Sequence, residues 1–189
     1  MAWPWFNGRM ARIFARHALP AIKDPCSSKG IVRDITYTSG DATAPAGGGH
    51  KIIAHICNDI GVWGRGFVVA ISRRWPEAEA DYCRWYAERD QNDFALGAIR
   101  VVPVGQDFSV ANMIGQRDIR KRGGTPPIQY DAVRTCLRSL GEFAKSSDAS
   151  VHMPRIGCGL AGGDWTEIQP IIHDELCSRD IQVTVYDFP

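Results

Sequence analysis

Val151-His-Met-Pro-Arg-Ile-Gly-Cys-Gly-Leu-Ala-Gly-Gly-Asp-Trp165 decides how this chain folds. Val151 to Pro154 reads as a short strand, Arg155 to Gly163 as a glycine-rich loop, and Trp165 to Ser178 as a helix. The same order occurs earlier. Lys51 to Ile56 is a nearly continuous apolar run, as expected of a buried strand. It leads into Cys57-Asn-Asp-Ile-Gly-Val-Trp-Gly-Arg-Gly66 and then a helix over Phe67 to Trp75. In both units the glycines stand where a strand hands over to a helix. Backbone N–H groups are unpaired there and the helix dipole is positive, so anions settle. Glycine lets the backbone pass close to a phosphate and adopt positive φ. A single such loop is explained by tight turning alone. Two of them, at the carboxyl ends of buried strands, predict a ligand crevice.

Working outward, Ile35 to Thr38 is a short strand closed by Ser39-Gly-Asp41, and Ala42 to Gly49 is loop. Pro76 suits the first position of a helix that runs over Glu77 to Arg89. Ala98 to Val104 and Ser109 to Ile114 are strand candidates, and Arg117 to Pro127 is a polar loop. Tyr130 to Ser146 is the clearest helix, with Val133, Cys136, Leu137, Leu140, Phe143 and Ala144 at helical spacing. Gln182 to Tyr186 is the final strand. Strands alternating with helices predict an α/β fold with a sheet between helix layers.

The chain of 189 residues suits one domain with an appendage. Residues 31–189 are assigned to the domain, and 1–30 to a basic, flexible N-terminal extension. Six basic residues against Asp24 make residues 1–33 +5, which leaves −4 for the rest of a chain of net charge +1. A solvated tail is the preferred reading. An arm that touches nucleic acid and an amphipathic targeting segment are the alternatives. No stretch approaches the ~18 consecutive apolar residues of a membrane span. Six scattered cysteines, without a CxxC pair or a Cys/His cluster, read as reduced thiols in the cytoplasm and argue against a zinc site.

Several nucleotide chemistries are excluded by motif. There is no G-x-x-x-x-G-K-[ST] phosphate loop, no G-x-G-x-x-G opening the first strand–helix unit, and no G-x-S-x-G nucleophile elbow. P-loop NTPases, hydride-transferring dehydrogenases and elbow hydrolases are therefore poor readings.

Four segments together resemble macrodomains, the ADP-ribose-binding modules. They are Ser39-Gly-Asp41, the His55 to Gly66 loop, Val110-Ala-Asn-Met-Ile-Gly-Gln116, and His152 to Leu160 followed by Gly162, Gly163 and Trp165. The branch most resembled is the terminal ADP-ribose glycohydrolase that frees glutamate, together with the related DNA ADP-ribosyl glycohydrolases. The resemblance covers Ile35 to Phe188 and implies a three-layer α/β/α fold with a mixed central sheet. It implies no metal or other cofactor. The partners it implies are ADP-ribose or ADP-ribosylated DNA or protein, with no membrane and a monomer favoured.

Residue roles follow position by position. Asp41, with Ala42 beside it, matches the acid that accepts from the adenine amino group; a carboxylate suits this because it only accepts. Ile156, Gly157, Cys158, Gly159, Leu160, Ala161 and Gly162 match the loop around the diphosphate, and Gly64, Gly66 and Phe67 the loop on its other side. Asn58 matches an asparagine that faces the distal ribose, with loop capping as the equal alternative. Two positions depart from the branch. Gln116 stands where it uses a lysine nucleophile, and Ala161 where it uses an aspartate. Gln cannot form the covalent adduct, so that route is closed. Arg117 is no substitute, because its guanidinium stays protonated. What is left is direct water attack at the distal ribose, with Gln116 and Asn58 as catalytic candidates, or a silent ADP-ribose reader. Hydrolysis of a small ADP-ribose ester is a further alternative. Asp164 is expected to cap its helix, and His55 and His152 to be satisfied core residues. Trp63 is expected to stack on a base, shield the ribose, or pack. Arg117, Arg120, Lys121 and Arg122 form a basic loop beside Gln116, read as solvated or as a phosphate contact to nucleic acid.

Overall fold

The computed structural model describes residues 32–187. The basic extension expected over 1–30 lies outside them. Among the described residues six strands form one sheet in the order β1-β6-β5-β2-β4-β3. They are β1 (Thr36–Ser39), β2 (Lys51–Asn58), β3 (Ile99–Pro103), β4 (Phe108–Gln116), β5 (Ser150–Pro154) and β6 (Val183–Asp187). Every neighbouring pair is parallel except β3 with β4, so the sheet is mixed, as expected.

Four α-helices cover it: α1 (Phe67–Arg74), α2 (Pro76–Ala87), α3 (Tyr130–Ser146) and α4 (Trp165–Glu175). The strand alternation sorts the two layers. Ile52, Ala54, Ala111 and Met113 point into the larger core with α3 and α4. Ile53 and Val110 point the other way, against Ile71 and Trp75 of the α1–α2 layer. This is the three-layer α/β/α arrangement. Among the described residues no helix is long and apolar enough to cross a membrane.

Local signals explain most boundaries. Pro76 opens α2 at its first turn. The Asp164 side chain accepts from Thr166 N at 2.9 Å and caps α4, as expected of Asp at that position. Helix α4 stops at Glu175, and a separate 3₁₀ turn over Cys177–Arg179 replaces the last turn expected to Ser178. The stripe on α3 also differs from expectation. Phe143 is 38% exposed, whereas Gly141 is buried. Both positions lie at the margins of the apolar face, and α4 packs on the glycine side. A Cβ on Gly141 would sit 2.6 Å from the Glu175 carbonyl oxygen, so the bare glycine lets the two helices approach.

The connectivity locates the crevice. From β2 the chain proceeds to β4 on one side, while β5, β6 and β1 lie on the other. The direction of winding reverses between β2 and β5, and in parallel sheets ligands bind outside the carboxyl ends of strands at such a reversal. The two glycine loops follow these two neighbouring strands.

Candidate functional site

Five parallel strands end at one edge of the sheet, and the residues singled out from sequence lie there. Asp41 follows β1, Asn58 ends β2, Gln116 ends β4 and Arg155 follows β5. Asn58 and Gln116 pair across a register shift at the end of the β2–β4 ladder.

The loop after β5 is held open by its glycines. Gly157 has φ 73°, and a Cβ there would lie 2.8 Å from Ile128 Cδ1 and 2.9 Å from Ile168 Cδ1. Gly163 N donates to Gly157 O at 2.8 Å and Gly162 N to Gly159 O at 2.9 Å, which curls the loop on itself. The N–H groups of Gly157, Gly159, Leu160 and Ala161 donate to no acceptor among the described residues. Opposite them, α1 begins after Gly66 with no side-chain cap and no acidic residue in its first turn. A helix start in that condition leaves its free N–H groups and dipole unneutralised. The two loops meet across the crevice, where a Cβ on Gly66 would lie 3.5 Å from Leu160 Cδ1. Leu160 is 69% exposed there.

Not every assigned contact presents a side chain. Ala42, Ile156 and Ala161 are buried at 3%, 2% and 6% exposure. Ala161 also accepts from Ile128 N at 3.2 Å through its carbonyl. These three offer a ligand only their main chain, because their methyl and butyl groups complete the core. Asp41 makes its own turn, its Oδ1 accepting from Thr43 N and Oγ1 at 2.8 Å each. Its second carboxylate oxygen has no partner among the described residues. Cys158 is half-buried, and burial followed by the nearby Asp164 pushes its thiol up, so it is no activated nucleophile.

Asn58 is a loop cap. Its Nδ2 donates to Val62 O at 2.6 Å, and its Oδ1 accepts from Ile60 N and Val62 N at 3.1 and 3.0 Å. Tyr82 OH also donates to its carbonyl oxygen at 2.8 Å. Both heavy atoms of the amide are engaged by its own loop, the loop-capping alternative, with one of the two Nδ2 hydrogens left unbonded among the described residues. Trp63 packs within the protein. Its Nε1 donates to Ser72 Oγ at 2.7 Å, and its ring lies 5.4 Å from His55, edge-on, and 5.2 Å from Tyr82.

Gln116 differs from Asn58 in leaving an atom free. Its Nε2 donates to Asp118 O at 2.7 Å, and its Oε1 has no partner among the described residues. Asp118 adopts φ 61°, a left-handed conformation that Asp tolerates, which turns its carbonyl back toward Gln116. Asp59 secures this arrangement, its Oδ1 accepting from Asp118 N at 2.7 Å and its N–H donating to Gln116 O at 2.9 Å. Neither Asp59 nor Asp118 stands out in the sequence, since nothing local marks residues 59 positions apart as partners.

The segment after Gln116 is a small hairpin. Gln116 pairs with Ile128 and Arg122 with Thr125, around Gly123 and Gly124 at positive φ. Arg122 is ion-paired with Asp118 at 2.9 Å, whereas Arg117, Arg120 and Lys121 are exposed without an ion pair among the described residues. The two histidines are satisfied core residues. His55 Nε2 lies 2.6 Å from Asn112 Oδ1, and burial lowers its pKa to about 4. His152 contacts Tyr186 OH at 3.1 Å and Ser150 Oγ at 2.9 Å, and burial with Lys51 nearby lowers it to about 4. Both are neutral at pH 7, so neither is a cation for a diphosphate.

Comparison with known proteins bears on the same region. A solved structure of a protein of unknown function from Bacteroides thetaiotaomicron is 54% identical, with a TM-score of 0.79 over 82% of this chain and 98% of that one. A macrodomain protein from Streptomyces coelicolor is 51% identical, with a TM-score of 0.74 over 82% of this chain and 99% of that one. Among curated proteins, the mouse chromodomain-helicase-DNA-binding protein 1-like is 32% identical over 82% of this chain. The chain spans 18% of the length of that relative. An ADP-ribose 1''-phosphate phosphatase from Lodderomyces elongisporus is 26% identical over 81% of this chain and 99% of its own length. The Macro domain family model matches residues 54–172, which run from β2 through both glycine loops into α4, and the chain belongs to that family.

Proposed function

We propose that this chain binds ADP-ribose across the β2–β5 crevice and releases it from a modified macromolecule by water attack at the distal ribose. The observation that carries the reading is the pair of facing anion sites: unpaired N–H groups of the Gly157–Ala161 loop opposite the uncapped start of α1. A diphosphate is the ligand such a pair fits, since each phosphate meets backbone donors on one side. The relative named as an ADP-ribose 1''-phosphate phosphatase supports ADP-ribose as the group attached to it. Asp41 reads the adenine amino group with its free carboxylate oxygen.

The chemistry asks little of the protein. Water oxygen attacks the anomeric carbon of the distal ribose, the bond from that carbon to the acceptor atom breaks, and the proton lost by water ends on the leaving group. The transition state is oxocarbenium-like, so the bound diphosphate and the pocket dipoles stabilise it. Gln116 holds the water through Oε1, the atom left free once Nε2 is bonded to Asp118. DNA thymidine and protein acidic side chains are the acceptors considered. The exposed Arg117, Arg120 and Lys121 beside Gln116 favour a nucleic-acid acceptor. A catalytically silent reader is the second reading, favoured by the buried Ala161 at the position where the glutamate-directed branch carries an acid.

The test is release of free ADP-ribose, followed by mass spectrometry, from three substrates in parallel. These are a thymidine-linked ADP-ribosyl oligonucleotide, a glutamate-linked protein and an acetylated ADP-ribose. The oligonucleotide is expected to turn over fastest. Binding of ADP-ribose without turnover on any of the three leaves the reader; no binding at all sinks both readings. Charge reversal at Arg120 and Lys121 together is expected to slow the oligonucleotide reaction about 10-fold and to steepen its loss with salt less than wild type. The acetylated ester should be hydrolysed at an unchanged rate. Arg122 is left intact in this variant because it holds Asp118. An unchanged oligonucleotide rate would remove nucleic acid as the acceptor.

A further inference from the structure

The loop after β2 has a weak stretch. Asn58 bonds its first half as far as Val62. The main chain then makes no hydrogen bond among the described residues until the Gly66 carbonyl accepts from Val69 N at 3.1 Å. Gly64 and Gly66 both have positive φ and no Cβ to restrict them. This is also the segment that brings the loop to the start of α1, opposite Leu160. One side chain fastens it, the half-buried indole of Trp63.

That indole is secured from two directions. Its ring packs against His55, Tyr82 and the cores on either side of them. Its Nε1, which can only donate, bonds to Ser72 Oγ at 2.7 Å. Ser72 Oγ in turn lies 2.6 Å from Glu79 Oε2 and 3.1 Å from Val68 O. The shorter contact is charge-assisted, so the single hydroxyl proton goes to the carboxylate and the serine oxygen is turned to accept from the indole. The relay crosses from α2 through α1 to the loop.

We infer that Ser72 and Glu79 are positioning residues for the ligand loop, acting through the Trp63 indole to hold Gly64 and Gly66 in place for the far half of the ligand. The inference rests on the ADP-ribose reading and adds residues remote from any ligand contact. Pre-ordering matters because glycine-rich backbone loses more conformational freedom on binding than any other. The adenosine end of the ligand, read beside Asp41, lies outside the reach of this relay.

Titration calorimetry of Ser72→Ala with ADP-ribose and with AMP separates the cases, alongside Ser72→Thr, Glu79→Gln and NMR order parameters of the backbone amides of residues 63–66. The relay predicts a Kd for ADP-ribose about 10-fold higher in Ser72→Ala and Glu79→Gln, and AMP binding within about twofold of wild type. Ser72→Thr keeps the hydroxyl and should restore affinity. Order parameters at residues 63–66 should fall in Ser72→Ala, a readout that needs neither a ligand nor an amide hydrogen bond. Unchanged order parameters overturn the inference, as does an equal loss for both nucleotides without rescue by threonine. Failure of the wild-type chain to bind ADP-ribose would instead overturn the reading beneath it, with the order parameters still deciding the relay.

Discussion

Gln116→Ala is expected to slow release of ADP-ribose by about 100-fold, the scale at which a positioned polar group contributes to proton handling or water orientation. Binding of ADP-ribose should stay within a factor of three of wild type. The reason lies in how Gln116 is built into the site. Its backbone accepts from Asp59 N and pairs with Ile128, and neither bond needs the side chain. The substitution removes Oε1 from the crevice chemistry and with it the Nε2 bond to Asp118 O, while Asp59 Oδ1 still holds Asp118 N. The Gly157–Ala161 loop and the start of α1, to which the proposal assigns the diphosphate, lie on other elements. Single-turnover rates with the adduct, and calorimetry with free ADP-ribose, measure the two quantities separately. Full turnover in Gln116→Ala would show that water is oriented by something else.

Glu175→Gln should have the largest effect on stability, about 3 kcal/mol at neutral pH, near the lower end of what breaking a buried ion pair costs. For a domain of this size that is a fall in Tm of roughly 6–12 °C. Glu175 is 5% exposed, and Arg134, Arg138 and Arg179 all bond to its carboxylate at 3.0–3.3 Å. The three arginine side chains are 38%, 53% and 32% exposed and can rehydrate, which keeps the cost at the lower end. Burial by itself raises the Glu175 carboxyl, but hydrogen bonds from Arg138 and Arg134 outweigh it and hold the group below its ordinary value of 4.5. A depressed folded pKa gives stability that is present above the unfolded pKa and lost as pH falls through the folded one. The gap between wild type and Glu175→Gln should therefore be full above about pH 5 and close as pH drops below 4.5. Denaturant melts at pH 7 and pH 3.5 would show it narrowing, and a gap of unchanged size at pH 3.5 would mean that the carboxylate charge is not its source.

Much of the fold could be read from residues close together in the chain. The two strand–glycine–helix units, the stripe on α3, Pro76 and Asp164 are each local patterns, where a few neighbours set the backbone or a cap. The two glycine-rich loops were legible for the same reason. Ambiguities remained where one residue type serves two purposes. Asn58 and Trp63 each fit a ligand role by position; the Asn58 amide is bonded within its own loop, and the Trp63 indole is bonded to Ser72 on the helix that follows.

What the sequence by itself determined is therefore the inventory: an α/β chain, two glycine-rich loops at strand ends, a glutamine closing a buried strand. Periodicity and glycine placement are properties of a single segment, so folding was not needed to see them. What only the tertiary structure decided is which atoms are left over. Strand order β1-β6-β5-β2-β4-β3 puts the two loops side by side, and long-range bonds from Asp59, Asp118, Ser72 and Tyr82 then occupy some polar groups and leave others open. Those bonds join residues distant in sequence, and a hydrogen bond depends on distance and angle in space, which residue order alone does not specify.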